Sequence, residues 1–345
     1  SRVFGILDKH ARHHAAREEG EVRTVPAIRN HLRASHIRLA SAPTRRKLPA
    51  FRRMPRFCFI FNPHSGFNRR KPGFIRKVQE WVSGAGLDAE FVTTERPHHA
   101  TELARAAVAR GCERIVAIGG DGTLNEVACG VVHTPAALGL VPCGSGNGLG
   151  RHLGVHGSWR RALRIVRDGR VRPIDTGVAA GHRFCNVMGV GFDAEIARRF
   201  NNLPSRGFRT YLRTGWNAFF GYQPETYTVR TADGRTAVTA FLLSVANSDQ
   251  YGNNARIARG ASVDDGIFDL VAIPPSGAIR AIGLLRRMFT GDIRRAPGVF
   301  STQGSAFTIV RRAPGVIHVD GETREAGAEI EVRLEPRSLN FVVPA

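Results

Sequence analysis

Residues 114–127, RIVAIGGDGTLNEV, set an apolar run from Ile115 to Ile118 directly against Gly119-Gly120-Asp121-Gly122-Thr123, followed by helical spacing. An apolar run this short reads as a strand buried on both faces, as in a sheet covered by helices on each side. The same succession occurs twice more. RFCFIFNP is a strand stopped by Asn-Pro, and ALGLVP is a strand that runs into PCGSGNGLGR. Between them, FIRKVQEWVSGAG has apolar residues at helical spacing, AEFVTT is another strand, and HATELARAAVARG is a helix closed by Gly111. Strands alternating with helices predict an α/β architecture, with a parallel α/β domain over residues 55–170. Beyond about residue 170 the texture becomes a succession of strands, among them RFCNVMGVGFD, GIFDLVAI, GVIHVDGE and AEIEVRLEP. Residues 171–345 are therefore expected to form a mainly antiparallel β domain, whose last strand is free to return to the first domain. Basic helices are expected near 205–220 and 276–290.

In an open parallel sheet, ligands bind where strand C-termini meet helix N-termini. Three glycine-bearing turns fall there: Asn62–Gly66, Gly119–Asn125 and Pro142–Arg151. Glycines let backbone N–H groups converge on a ligand, and a helix N-terminus adds partial positive charge, which suits phosphate. There is no G-x-x-x-x-G-K-[ST] run, and GSGNGLG lacks the third glycine of a dinucleotide fingerprint. Asp121 is the odd residue among them. A carboxylate would repel phosphate unless a cation such as Mg²⁺ lay between them. The bland alternative is an N-cap for the following helix.

GGDGTLNEV, with NPHSG before it and PCGSGNGLGRHLG after it, resembles the diacylglycerol kinase catalytic-domain superfamily, which includes bacterial lipid kinases, sphingosine kinases and ceramide kinases. The resemblance continues through NVMGVGFDAEIA, SVANSDQYGNNARIARGASVDDGIFDL and VDGE, and covers about residues 56–345. It implies an ATP site lined by Asn62, Pro63, His64, Ser65, Gly66, Thr94, Gly119, Gly120, Asp121, Gly122, Thr123, Leu124, Asn125 and Ser145. It implies catalytic Mg²⁺ supported by Asp121, and an acid–base group that is Glu322 or Asp320. It further implies a structural metal loop in which Asp265 and the carbonyls of Phe268 and Leu270 are ligands. Read as residues alone, VDGE and DDG are equally hairpin turns. Ser145 and the run Asn147-Gly148-Leu149-Gly150-Arg151 stand nearer the sphingosine-kinase-like form, so the acceptor stays open between diacylglycerol and a sphingoid base.

The expected activity is thus ATP- and Mg²⁺-dependent phosphorylation of a lipid hydroxyl. A formal charge of +21, nearly all from arginine, would draw the chain to anionic phospholipids. The helix expected at 276–290 groups Ala278, Ile282, Leu285 and Phe289 on one face, flanked by Arg280, Arg286 and Arg287, as the rim of a lipid pocket would. SRGFRTYLRTGWNAFFGY, which mixes arginine with aromatic residues, offers a second such rim. Residues 1–54 carry thirteen Lys and Arg against four acids and read as a disordered basic arm. Five cysteines without C-x-x-C spacing exclude a zinc or disulfide framework and fit a reducing cytoplasm. No apolar signal core and no membrane-spanning run is present in the sequence, so a peripheral position at the inner membrane face is expected. No specific nucleic-acid partner is expected, and a homodimer stays open. Two other readings compete: a soluble-substrate kinase of NAD-kinase type, which also carries G-G-D-G-T, and a non-catalytic basic module that binds membrane or nucleic acid.

Overall fold

The buried runs form the strands that their composition requires. In this computed structural model, which describes residues 56–201, 219 and 221–345, β1 (Phe57–Phe61) is buried at every position. It is flanked by β2 (Ala89–Thr93) and β3 (Arg114–Gly119), and β3 pairs with β4 (Ala137–Pro142), all in parallel. The intervening helices are α1 (Gly66–Arg70), α2 (Phe74–Gly84), α3 (His99–Ala109), α4 (Asp121–Val131) and α5 (Gly148–His152). Helix α2 buries Phe74, Val78 and Val82, the stripe its spacing predicts. A further helix, α6 (Trp159–Asp168), escapes that reading because WRRALRIVRD is rich in arginine. Its signals are Ser158, whose side chain caps Arg161 N, and the buried stripe Ala162, Leu163, Ile165 and Val166. The arm 1–54 and most of the rim expected at 205–222 lie outside the described residues.

The second half opens with β5 (Arg170–Ala179), β6 (His182–Phe184) and β7 (Val187–Gly191), then helix α7 (Phe192–Asn201). Helix α7 is an addition to the sequence reading, in which the strand RFCNVMGVGFD runs on to Asp193 and the residues after it have no assigned element. Strands β8 (Glu225–Thr231), β9 (Gly234–Ala240), β10 (Leu242–Ala246), β11 (Gln250–Gly252), β12 (Ala255–Arg256) and β13 (Phe268–Ile273) follow. Helix α8 (Ala278–Thr290) falls where the basic helix is expected. The chain closes with β14 (Phe300–Gly304), β15 (Ala306–Val310), β16 (Gly315–Val319), β17 (Glu322–Ala326) and the long β18 (Glu329–Val343).

Two sheets result. The larger runs β2-β1-β3-β4-β18-β15-β8-β9, with β5 and β6 joined to it through β18. The smaller is the antiparallel run β14-β13-β10-β7-β16-β17. They pack face to face as a sandwich. Tyr227, Phe307 and Ile330 come from the larger sheet and Met188, Leu243 and Phe268 from the smaller, within one buried cluster.

Strand β18 joins the two halves. Its first part pairs antiparallel with β15, and its last residues pair parallel with β4, Asn340 opposite Ala137 and Phe341 opposite Leu138. The register shifts between Glu335 and Leu339, where Arg337 has φ +48°. Buried Asp175 holds that bulge by accepting the Arg337 N–H at 2.6 Å. Removing the ring of Phe341, which is fully buried in the parallel half, should therefore cost about 3–5 kcal/mol. Chemical denaturation of Phe341→Ala, against wild type, measures it.

Candidate active site

The three glycine turns converge at the C-terminal edge of the parallel strands. Asn62 Nδ2 donates to Thr123 Oγ1 at 2.8 Å, tying the first turn to the second. Cys143 N donates to the Gly119 carbonyl at 2.7 Å, and Phe67 N to the Cys143 carbonyl at 3.2 Å, tying in the third. The second and third turns also touch backbone to backbone. A Cβ on Gly120 would lie 3.1 Å from Gly144 Cα, and one on Gly144 only 2.7 Å from Gly120 Cα. Neither glycine has a positive φ, so close approach rather than conformational freedom demands them.

Asp121 completes the junction. Its two carboxylate oxygens accept the N–H groups of Asn147 and Gly148, both at 2.8 Å. It thus caps α5, beyond the third turn, rather than only starting its own helix. Burial pushes its carboxyl up to about 6, against the pull of those N–H donors.

Asp320 and Gly321 form the two-residue loop between β16 and β17, with φ +50° and +86°. Such a loop needs positive φ at both positions, and Asp-Gly supplies it. The hairpin reading of VDGE is therefore correct as far as backbone goes. The Asp320 carboxylate accepts four N–H groups: Cys185 N at 2.8 Å, Asn186 N at 2.9 Å, Val187 N at 3.0 Å and Asn125 Nδ2 at 2.8 Å. Burial pushes its pKa up and the donors oppose it. Asp320 is an anchor that fastens the hairpin to the β6–β7 loop and to α4. Glu322 differs. Its carboxylate has no hydrogen bond or ion pair among the described residues, and a Cβ on Gly122 would lie 2.7 Å from Glu322 Oε1. The pair of acids left open by the sequence is thereby divided into a bound one and a free one.

These residues border a cleft of about 780 Å³. At one end lie Asn62, His64, Ser65, Gly66, Gly120, Asp121, Gly122, Thr123 and Ser145, together with Asp320 and Glu322. Pro63, Thr94, Gly119, Leu124 and Asn125, also expected there, do not line it. Leu124 and Thr94 are buried in the fold, Gly119 packs on the Thr123 side chain, and Asn125 spans Arg183 O and Asp320. Ser65 Oγ is buried with no hydrogen-bond partner among the described residues. Arg69 and Arg70 line this end too; the sequence reading of the first turn covered Asn62–Gly66 and stopped short of them. The other end is apolar, with Phe192, Ile196, Phe241, Leu284, Leu285 and Met288. Asp193, Tyr251 and His318 interrupt it, and sequence reasoning missed all three. Asp265, Phe268 and Leu270 lie off the cleft: Asp265 Oδ1 accepts Ile267 N at 3.1 Å, and Phe268 and Leu270 are buried in β13. Among the described residues no three His, Cys, Asp or Glu side chains converge as a metal group.

The diacylglycerol kinase catalytic domain family matches residues 56–179, and the YegS C-terminal NAD kinase beta sandwich-like domain matches residues 186–343. The chain belongs to the diacylglycerol kinase family. It is a kinase by that membership, and both halves of its cleft fall within the matched residues. The chain is 34% identical over 208 residues to a protein of Chromohalobacter salexigens named "Probable lipid kinase YegS-like", covering 58% of this chain and 66% of that one. It is 27% identical over 280 residues to the diacylglycerol kinase of Bacillus subtilis, covering 78% and 90%. A crystal structure of a diacylglycerol kinase from Bacillus anthracis str. Sterne shares the fold, with a TM-score of 0.65 at 18% identity over 84% of this chain and 97% of that one.

Replacing Asp320 by Asn sets amide N–H against two of the four donors, and buried donors left unpaired cost about 1–3 kcal/mol each. Asp320→Asn of this kinase should thus be about 2–6 kcal/mol less stable than wild type in urea titration, whereas Glu322→Gln should fall within about 0.5 kcal/mol of it.

Proposed function

We propose that this kinase transfers the γ-phosphate of ATP to a hydroxyl of a lipid drawn from a membrane surface. The observation that carries the reading is the continuity of the cleft: the glycine turns and the free Glu322 share it with an apolar wall whose chemistry suits an acyl chain. A soluble dinucleotide acceptor would have no use for that wall, which weighs against the NAD-kinase alternative.

At the polar end, backbone N–H groups of the converged turns, the start of α4 and the unpartnered Ser65 hydroxyl suit a triphosphate. Asp121 and Glu322 both border this end, and each Asp121 oxygen keeps a lone pair beyond its backbone contact, so the donor set fits Mg²⁺. When bound there, Mg²⁺ would neutralise phosphate charge. Glu322 takes the proton of the lipid hydroxyl as the oxygen attacks the γ-phosphorus. The new O–P bond forms as the bond to the β-phosphate oxygen breaks, and ADP leaves. Asp320 positions Glu322 through the hairpin. We keep Asp265 and the Phe268 and Leu270 carbonyls as a structural cation loop outside the reaction.

Helix α8 suits the membrane contact. Ile279 is 90% exposed, Ile282 54%, Leu285 43% and Phe289 41%, and the last three also line the cleft mouth. Exposed apolar groups beside Arg286 and Arg287 match an anionic bilayer surface. Arg280 is committed to the Pro297 carbonyl and contributes less. No helix among the described residues is long and apolar enough to cross a membrane.

Labelled ATP offered with diacylglycerol or sphingoid-base micelles should yield phosphorylated lipid, and offered with NAD should yield none; the reverse pattern would sink this reading. Glu322→Gln should lower turnover by about 10²–10⁴ while nucleotide affinity holds. Ile279→Asp should weaken sedimentation with phosphatidylglycerol vesicles at least about fivefold, since burial of that side chain contributes about 1.5–3 kcal/mol.

A further inference from the structure

The apolar half of the cleft has a charged floor. Ser244 on β10 and His318 on β16 both sit opposite Gly189 on β7, so the three lie in one row across adjacent strands and share a sheet face. Gly189 leaves a gap in the row, and the Asp193 carboxylate from α7 fills it. A Cβ at 189 would lie 2.2 Å from Asp193 Oδ2 and 2.6 Å from His318 Nε2. Asp193 Oδ2 is in contact with Ser244 Oγ at 3.0 Å, Tyr251 Oη at 2.9 Å and His318 Nε2 at 3.0 Å, and Oδ1 accepts Ala194 N at 2.9 Å. The acid is fully satisfied.

The histidine is not. A carboxylate only accepts, so the proton in the contact belongs to His318 Nε2, and in the neutral form of the ring Nδ1 is then an acceptor. That atom is buried and has no hydrogen-bond partner among the described residues. His318 and Asp193 are each 4% exposed, yet both border the cleft. An unpaired acceptor enclosed in an apolar site is costly unless a ligand supplies a donor.

We propose that His318 Nδ1 accepts a hydrogen bond from a second polar group of the acceptor lipid, so that the kinase selects lipids with a hydroxyl or ammonium beside the hydroxyl it phosphorylates. This rests on the lipid-kinase reading. The remaining oxygens of a diacylglycerol belong to esters, which only accept and would set lone pair against lone pair. A single-chain 1,2-diol or 2-amino-1-alcohol supplies the donor. Asp193 is a positioning residue that holds the ring and its tautomer, and Ser244 and Tyr251 hold Asp193.

The test compares four lipids of matched chain length: a primary alcohol, a 1,2-diol, a 2-amino-1-alcohol and a diacylglycerol. Affinity is measured by calorimetry without nucleotide, and kcat/KM with ATP in mixed micelles. Wild type should favour the diol or the amino alcohol over the plain alcohol and the diacylglycerol by at least about tenfold, a hydrogen bond to an otherwise unpaired group. The stronger of the two arms names the donor. His318→Leu should cut the preference to within about twofold, and His318→Asn, which keeps an acceptor, should restore part of it. Should the leucine variant fail to melt cooperatively, the asparagine variant and Asp193→Asn, which disturbs the tautomer, are read by the same ratio. Equal affinity of wild type for all four, a preference for diacylglycerol, or a preference unchanged in a folded His318→Leu would overturn the proposal. A binding preference without phosphate transfer would uphold it and sink the kinase reading instead.

Discussion

The cleft depends on the grip of the Asp121 carboxylate on the N–H groups of Asn147 and Gly148. Parallel strands β3 and β4 deliver their following turns side by side, but nothing in the ladder forces those turns into contact. The carboxylate does so from below, and the bare Cα atoms of Gly120 and Gly144 allow it. Any side chain at either glycine would separate the turns, and with them the N–H groups that face the cleft. The two N–H donors stabilise the buried carboxylate without a cationic side chain, and the second lone pair of each oxygen stays available.

Asp320 repeats the device on the other side. Each of these acids carries a burial penalty, visible as a raised pKa, and each offsets it with neutral N–H donors, mostly backbone, rather than with a cationic side chain. An arginine partner would have been long and mobile, and its charge would have competed for phosphate. Backbone N–H groups are short, fixed and already present at turn and helix ends. The polar half of the site is rigid for that reason, and Glu322 is left as the carboxylate without such ties.

The sequence displayed the parallel half well because β1, β3 and β4 are buried on both faces and read as unbroken apolar runs. It also displayed helix α8, whose apolar stripe survives among its arginines. It hid α6, where four arginines are interleaved with the four buried residues, and α7, which begins at Phe192 directly after β7 ends at Gly191. The converging turns were legible, as glycine clusters at strand ends. The reason for the glycines was not: the motif suggests room for a ligand, whereas Gly119, Gly120 and Gly144 are spent on packing. Nor could linear sequence separate Asp320 from Glu322, since only the fold brings Cys185, Asn186 and Val187 to the former. Asp193 and His318 lie 125 residues apart, and no local pattern marks either as a partner of the other.

The β16–β17 hairpin shows how so short a segment can hold three kinds of chemistry. His318 lies on the strand face toward the cleft, in register with Gly189, and so meets Asp193. Asp320 occupies the turn itself, where positive φ carries its carboxylate out of the sheet's alternation and onto the neighbouring loop. Glu322 starts the return strand opposite Val319, at the sheet's end, where the side chain can reach Gly122 across the gap to α4. Lengthening the turn by one residue would shift the alternation of β17 and turn Glu322 away from α4, without touching a single glycine of the phosphate-facing turns. The two-residue loop is therefore what couples the face that meets the lipid to the edge that meets the nucleotide.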